Sequence, residues 1–339
     1  MPAAVLCGYD RAMTDTIRWG IIGCGNVTEV KSGPAFQKAA GSALVAVMRR
    51  DREKAADYAR RHGVPRHYDR AADLLADPEV DAVYVATPPS SHCALALEAA
   101  AAGKPCLVEK PMATNHAECV RIVEAFGRRK VPLFVAYYRR ALPRFLKVRG
   151  LLRYGAIGTV SSVHITHYDF LTVGEGTKAW RFDAAVAGAG LFYDLGSHGV
   201  DLLDFLLGPI ASASGHASNT GGSYAVEDAT AASFAFESGP VGTGVWNFNA
   251  DHREDRIVVT GSAGTLRVPV FTDGDIVVSR DGQEERFEFR NPPHIHQPFI
   301  QTVVDQLLGR GLCESTGESG ARASRVLEQC VESYYRLRG

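Results

Sequence analysis

Long apolar runs are missing from this chain of 339 residues. None approaches the roughly 18 consecutive apolar residues that a membrane-spanning helix needs, so no membrane partner is expected. An excess of one charge is missing too. The chain carries 37 basic and 38 acidic residues, a formal net charge of −1, whereas a nucleic-acid partner normally goes with a strong basic excess. The opening stretch "MPAAVLCGYDRAMTDT" lacks the basic segment followed by a sustained apolar one that marks a secretory signal. Cysteine pairs are absent: the 7 cysteines are odd in number and scattered, as expected of reduced thiols in a cytoplasmic protein. His294 and His296 in "PPHIHQP" have no third ligand in view, so no metal is expected.

What is present begins with 46% apolar residues, enough for real cores, on a chain longer than one ordinary domain. Residues 1–15 are expected to be a disordered extension, or in part a misassigned start before Met13. From there to about residue 140, strands alternate with helices. "IRWGIIG", "ALVAVMRR", "DAVYVAT", "PCLVEKP" and "PLFVAYY" have the apolar character of buried strands. "DREKAADYARRHG", closed by Gly63, "SSHCALALEAAAAG", with Ser90 or Ser91 as its cap and Gly103 beyond it, and "NHAECVRIVEAFGRRK" have that of helices. Such alternation predicts βαβ units on a parallel sheet. After residue 140 the pattern changes to a run of strands, several joined by glycine-containing turns, as in an antiparallel-rich sheet. A helix starting near Asp194 interrupts them and two helices close the chain. The predicted fold class is therefore α/β, with a doubly wound, Rossmann-type domain over 16–140 and a second α/β domain, with a largely antiparallel sheet, over 141–339.

The stretch "RWGIIGCGNVTEV" carries the first functional signal. Gly23 and Gly25 end a strand that opens the first βαβ unit. There one glycine permits a tight turn, and the next lets the backbone approach a pyrophosphate lying at a helix N-terminus, where Asn26 and Val27 follow. The alternative is a plain structural turn. The third glycine of the usual fingerprint is lacking. Thr28 stands in its place, which implies looser helix–strand packing or a hydroxyl near the phosphates. An acidic residue at the end of the second strand, the usual partner of an NAD ribose, is also displaced, since Arg49 and Arg50 occupy that place. Two guanidiniums suit a 2′-phosphate, so NADP(H) is expected over NAD(H), with NAD(H) still possible. Asp51 could face the ribose or cap the next helix, and both arginines could be surface charge.

The second signal is "EKP", Glu109-Lys110-Pro111, at the carboxyl end of the fourth strand, where ligands collect in doubly wound sheets. An amine beside a nicotinamide could exchange a proton with a substrate hydroxyl. In isolation the same tripeptide would be a surface turn. The third is "GLFYDLGSHGVDLLDFLLG". Asp194 and His198, four residues apart, share a helix face, with Asp201 one turn on. Polar groups beside so many leucines are costly unless they line a site or form a satisfied helix-start network.

Together "GIIGCGNV", "VYVATPPSSH", "LVEKPMA" and "GLFYDLGSHGVDLLDFLLG" make the chain, from about residue 17 onward, resemble the Gfo/Idh/MocA oxidoreductases. The resemblance implies a Rossmann domain followed by a domain with an open sheet whose exposed face makes oligomer contacts, here a dimer or tetramer, and the small and aromatic residues of "TAASFAF" and "GTGVWNF" are expected to lie on that face against a second subunit. It implies that Lys110 contacts the substrate hydroxyl and acts in proton transfer, that His198 is the acid/base, and that Asp194 accompanies it. It also places Thr87 and Pro88 beside the nicotinamide with His92 in the same loop (a helix-start role being the alternative for His92), counts Glu109 with the cofactor-binding group, and suggests a cis bond before Pro111. Tyr138 and Arg139, ending the fifth strand, and Trp180 and Arg181, in "KAWRF", are candidates for touching substrate. His164, His167 and Tyr168 alternate on one strand, with surface or packing roles as the alternative.

The expected activity is an NADP(H)-dependent oxidoreductase moving hydride between nicotinamide and a carbon bearing a hydroxyl or carbonyl of a sugar, polyol or related small molecule. Two other classes compete with it. One is an NAD-dependent glycosidase of the same fold, and the other a non-catalytic nucleotide-sensing regulator, which would tend to lose the lysine or histidine retained here.

Overall fold

The computed structural model describes residues 15–171 and 179–337. Most of the expected N-terminal extension, and Cys7 with it, lies outside them. The chain divides into two units: residues 1–113, 117–138 and 293–320 form the first, and residues 114–116, 139–292 and 321–339 the second.

In the first unit β1 (Ile17–Ile22) leads into α1 (Asn26–Val30) and α2 (Ser32–Lys38), then β2 (Ser42–Met48), α3 (Arg52–His62), β3 (Arg66–Tyr68), α4 (Ala71–Ala76) and β4 (Ala82–Val85). The alternation continues with α5 (His92–Ala101), β5 (Cys106–Val108), α6 (His116–Arg129) and β6 (Leu133–Val135). The six strands lie in the order β3-β2-β1-β4-β5-β6, all parallel. That is the doubly wound pattern, whose strand order reverses direction beside β1. Burial explains why the strands are continuously apolar: Trp19, Ile21, Ile22, Val83, Tyr84 and Val85 are fully enclosed, as expected where helices cover both faces.

The short β3 and α4 carried no clear sequence signal. Ser91 does not cap α5 through its side chain. Its hydroxyl bonds Pro88 O and Thr87 Oγ1 instead, in a 3-10 turn over Pro89–Ser91.

The second unit opens with α7 (Pro143–Arg153) and β7 (Val160–Phe170), followed by α8 (Ala184–Ala187) and α9 (Ser197–Leu207). Strands β8 (Ile210–Ser218), β9 (Ala229–Phe236), β10 (Val241–Asn247), β11 (Asn249–Gly261), β12 (Gly264–Val268), β13 (Ile276–Arg280) and β14 (Gln283–Phe287) follow. Helices α10 (Gln297–Leu307) and α11 (Gly317–Arg336) end the chain.

The eight strands run β14-β13-β12-β11-β7-β10-β9-β8. Every neighbouring pair is antiparallel except β7 and β10, which are parallel. Helix α9 approaches this sheet closely: a Cβ on Gly199 would lie 2.5 Å from Ile165 Cδ1. Trp246, Phe234 and Phe236 point into this packed side and are buried. The aromatic residues of "TAASFAF" and "GTGVWNF" thus belong to the core, while small and polar residues occupy the opposite face. Among the described residues no helix is long and apolar enough to cross a membrane, and the six described cysteines are free and buried.

Candidate active site

At the end of β1 the two glycines have different reasons to be glycine. Gly23 has φ +95°, and a Cβ there would lie 2.6 Å from Thr87 Cγ2. The fold itself requires it. Gly25 has extended backbone, and a Cβ there would meet nothing closer than Gly23 O at 3.8 Å. The protein leaves that space open, and a pyrophosphate seated against the backbone would use it. Thr28 departs from both expectations. It is fully buried, its hydroxyl donating to Gly25 O at 2.7 Å and accepting from Gly25 N–H at 3.0 Å. The side chain therefore fixes the loop rather than facing phosphates. Thr28 N and Glu29 N return to Gly25 O, which leaves the amides of Asn26 and Val27 as first-turn donors without an intrahelical acceptor. Close packing falls to Gly33, where a Cβ would lie 2.1 Å from Thr28 O and 2.5 Å from Tyr58 Oη. These residues fit a dinucleotide.

Beyond β2 the half-buried Arg49 reaches toward the glycine loop, its Nη1 3.5 Å from Cys24 O, while Arg50 is exposed. Asp51 caps α3: its carboxylate accepts from Lys54 N at 3.1 Å and pairs with Lys54 Nζ at 2.9 Å. These bonds hold the Asp51 carboxyl below its ordinary range, the Lys54 side chain contributing most. Of the two roles open to Asp51, the structure shows the cap.

The loops after β4 and β5 are tied together. His92 is fully buried, with Nε2 2.7 Å from Thr87 O and Nδ1 3.0 Å from Pro111 O. Each ring nitrogen lies against a backbone carbonyl, and the neutral ring can donate its one N–H to either, so the histidine braces the two loops. Burial lowers its pKa against the pull of those carbonyls. Glu109 is likewise turned inward. Its carboxylate accepts the Tyr84 hydroxyl and the Lys110 N–H. Its contact is with the backbone of the lysine it precedes, a positioning role rather than the cofactor contact expected. The Lys110–Pro111 bond is cis. Tyr138, in the same unit, is buried and stacks on His296 at 4.3 Å.

In the second unit the chain makes a π-helical turn over Phe192–Gly196 before α9 begins. Asp194 lies in that turn and His198 in the first turn of α9, so their spacing is not that of one regular helix face. Both are buried. Asp194 pairs with Arg181 Nε at 2.9 Å, and the Arg181 guanidinium lies 5.6 Å from the Trp180 ring centre. The "KAWRF" residues Trp180 and Arg181 are thereby linked to the aspartate. Asp201 is not part of this group. It pairs with Arg140 at 2.7 Å, and Asp204 binds Arg140 and Arg322, a buried ion network that anchors α9.

A ring that the sequence reading did not single out organises the rest. Phe271 stacks on His167 at 4.5 Å, meets the edge of His198 at 5.8 Å and underlies the Arg139 guanidinium at 4.4 Å. Asp255 fixes the Phe271 loop by accepting three successive amides, from Val270 at 2.9 Å and from Phe271 and Thr272 at 2.7 Å. His167 is buried, its Nδ1 has no hydrogen-bond partner among the described residues, and burial lowers its pKa. Of the alternating His164, His167 and Tyr168, His167 alone stacks on Phe271. Its strand period could have marked it, but nothing in "VPVFTDGD" announces Phe271.

A parallel, doubly wound sheet whose glycine loop leaves room for a close backbone approach is the mark of dinucleotide-binding oxidoreductases. Residues 17–137 match the oxidoreductase family with an NAD-binding Rossmann fold, and residues 145–267 match the GFO/IDH/MocA C-terminal domain. The chain belongs to this Gfo/Idh/MocA family of oxidoreductases. It is 37% identical to Oxidoreductase P35 of Formosa agariphila, over 93% of this chain and 98% of that protein. It is 28% identical to a 1,5-anhydro-D-fructose reductase of Ensifer adhaerens, over 89% and 92%. A solved levoglucosan dehydrogenase, in complex with NADH and levoglucosan, shares the fold at TM-score 0.84 and 21% identity, over 95% and 98% of the two chains.

Proposed function

We propose that the protein is an NADP(H)-dependent dehydrogenase or reductase acting on a CH–OH or carbonyl carbon of a sugar, polyol or related polyhydroxylated molecule. The space kept open at Gly25, with its tied-down loop, is the observation that carries the reading. When bound, the nicotinamide supplies or accepts the hydride. The glycine loop, with Asn26 and Val27, would hold the pyrophosphate, and Arg49, with Arg50 beside it, the 2′-phosphate, which favours NADP(H) while leaving NAD(H) usable. Thr87 and Pro88 would flank the nicotinamide, braced by His92.

Lys110 would exchange the proton of the substrate hydroxyl, its backbone fixed by Glu109 and the Tyr84 hydroxyl. His198 would share that proton chemistry, with Asp194 orienting it. Arg139, His167 and the Trp180–Arg181 pair would meet the remaining hydroxyls, with Tyr138 a further contact. A set of hydrogen-bonding groups around an aromatic ring suits a polyhydroxylated ring, and the 28% identity to a 1,5-anhydro-D-fructose reductase supports a cyclic sugar derivative.

Self-association would use the open face of the second sheet, where Ser162, His164, Ser233, Thr243 and the exposed Val241 line a shallow groove. The reading also carries a cytoplasmic location. The test is turnover of ketoses, osones, anhydro sugars and cyclic polyols with NADPH or NADP+, followed by nicotinamide absorbance. Absence of turnover across the panel, with cofactor binding demonstrated, would overturn it.

A further inference from the structure

We infer that Glu227, gripped by Tyr335 of the last helix, is the positioning residue that fixes the segment carrying Asp194 and His198. The inference rests on the reading of those two residues as active-site groups. Glu227 is fully buried in the second unit. The Gly190 N–H lies 2.9 Å from each of its carboxylate oxygens, and the Tyr335 hydroxyl donates to Oε2. Gly190 must be glycine, since a Cβ there would lie 2.7 Å from the Glu227 carboxylate. Gly190 O in turn accepts Tyr193 N–H at 3.1 Å. The held residue is thus the footing of the π-helical turn that runs through Asp194 into α9.

An apolar residue could fill this space, so a carboxylate here needs a reason. A buried charge is costly unless its oxygens are satisfied, and here a backbone amide and a tyrosine from a remote helix satisfy them. The arrangement converts the docking of α11 into a fixed position for Gly190.

The grip is also pH-sensitive. Burial pushes the Glu227 carboxyl up to about 7, against the opposing pull of Tyr335 and the Gly190 amide. The titratable groups facing it are Tyr335, Asp228 and Tyr224, none of them a cation. Asp228 is itself occupied by the amides of Thr220 and Gly221. On protonation, one oxygen becomes a hydroxyl and a poorer acceptor. Gly190 and Tyr335 then compete for the other, and the segment loosens as pH falls through about 7.

The test combines hydrogen-exchange mass spectrometry with steady-state kinetics on the wild type, Tyr335→Phe, Glu227→Gln and Glu227→Ala. In Tyr335→Phe, peptides spanning 188–198 should exchange roughly tenfold faster while peptides over 17–30 do not change. Turnover number should fall roughly five- to twentyfold with cofactor Kd held within about twofold. Losing the tyrosine donor removes a bond that favours the carboxylate, so the acid limb of the rate profile should move to higher pH. That limb should vanish in Glu227→Gln, which should retain more activity than Glu227→Ala. Unchanged exchange in 188–198, or a uniform rise across all peptides with an unshifted acid limb, would reduce the pair to ordinary packing and overturn the inference. A wild type with no turnover on any polyol would instead contradict the proposed activity, and the exchange result would still decide whether the pair holds this segment.

Discussion

Replacing each glycine of the loop with alanine separates what the fold needs from what a ligand needs. Gly23→Ala forces a side chain onto a residue with φ +95° and sets its Cβ 2.6 Å from Thr87 Cγ2. Left-handed backbone costs an L-residue about 1–2 kcal/mol, and overpacking adds about 1–3 kcal/mol. A loss of roughly 2–5 kcal/mol should lower the melting temperature by about 5–15 °C. Gly25→Ala is different. Its backbone is extended and the nearest atom to the new Cβ is 3.8 Å away, so the penalty should stay below about 1 kcal/mol, the scale of a changed helix cap. Yet the methyl enters the space a pyrophosphate would use. Losing one charge-assisted contact at about 1.5–3 kcal/mol should raise the cofactor Kd roughly 10- to 150-fold. Melting curves and fluorescence titration with NADPH on the two variants measure both quantities. A Gly25→Ala protein that melts like the wild type and binds NADPH equally well would refute the reasoning, because the open space would then have no ligand to serve.

Three further outcomes are expected. Arg49→Ala should weaken NADPH binding roughly ten- to a hundredfold and leave NADH nearly unchanged, and paired titrations that keep the wild-type preference would assign the arginine to surface charge. Lys110→Ala should lower kcat by about 10²–10⁴ with little change in cofactor Kd, whereas near-normal turnover on a confirmed substrate would make the lysine a structural end to β5. His167 is a base whose folded pKa is lowered by burial from an ordinary 6.5, so below that value the unfolded chain binds more protons and the wild type should lose stability as pH falls. His167→Gln should lose less on acidification, and parallel melting curves from pH 8 to pH 5 that coincide in slope would contradict the buried, neutral imidazole.

The doubly wound sheet was legible because its buried strands are short apolar runs and the longer helices between them, such as α3 closed by Gly63, carry their own stop signals. The order of the second sheet was not, since pairing between β7 and the distant β10 and β11 leaves no local trace. The glycine loop, Lys110, Asp194 and His198, the residues given roles in the proposed function, stood out by motif. Two assignments shifted because side chains with functional pedigrees turned inward. His92 sets its ring between two backbone carbonyls, and Glu109 turns its carboxylate to Tyr84 and to the amide of Lys110. Thr28 shows the reverse case. The missing third glycine is made good by a hydroxyl that clamps Gly25, and close packing moves five residues on to Gly33. Phe271 was invisible because its importance comes from three partners, Arg139, His167 and His198, drawn from separate parts of the sequence.

The central claim is tested most directly by following the hydride itself. The protein is incubated with NADPH deuterated at nicotinamide C4, on both faces and on each face singly, and the cyclic sugar ketone that proves best in the substrate panel, and the product is weighed by mass spectrometry. The account predicts one deuterium, bound to the carbon that was the carbonyl and transferred from one face of the nicotinamide, with transfer greatly slowed in Lys110→Ala. Product formed without deuterium from the cofactor labelled on both faces, or release of a sugar from an aryl glycoside with no net change in the cofactor, would contradict it.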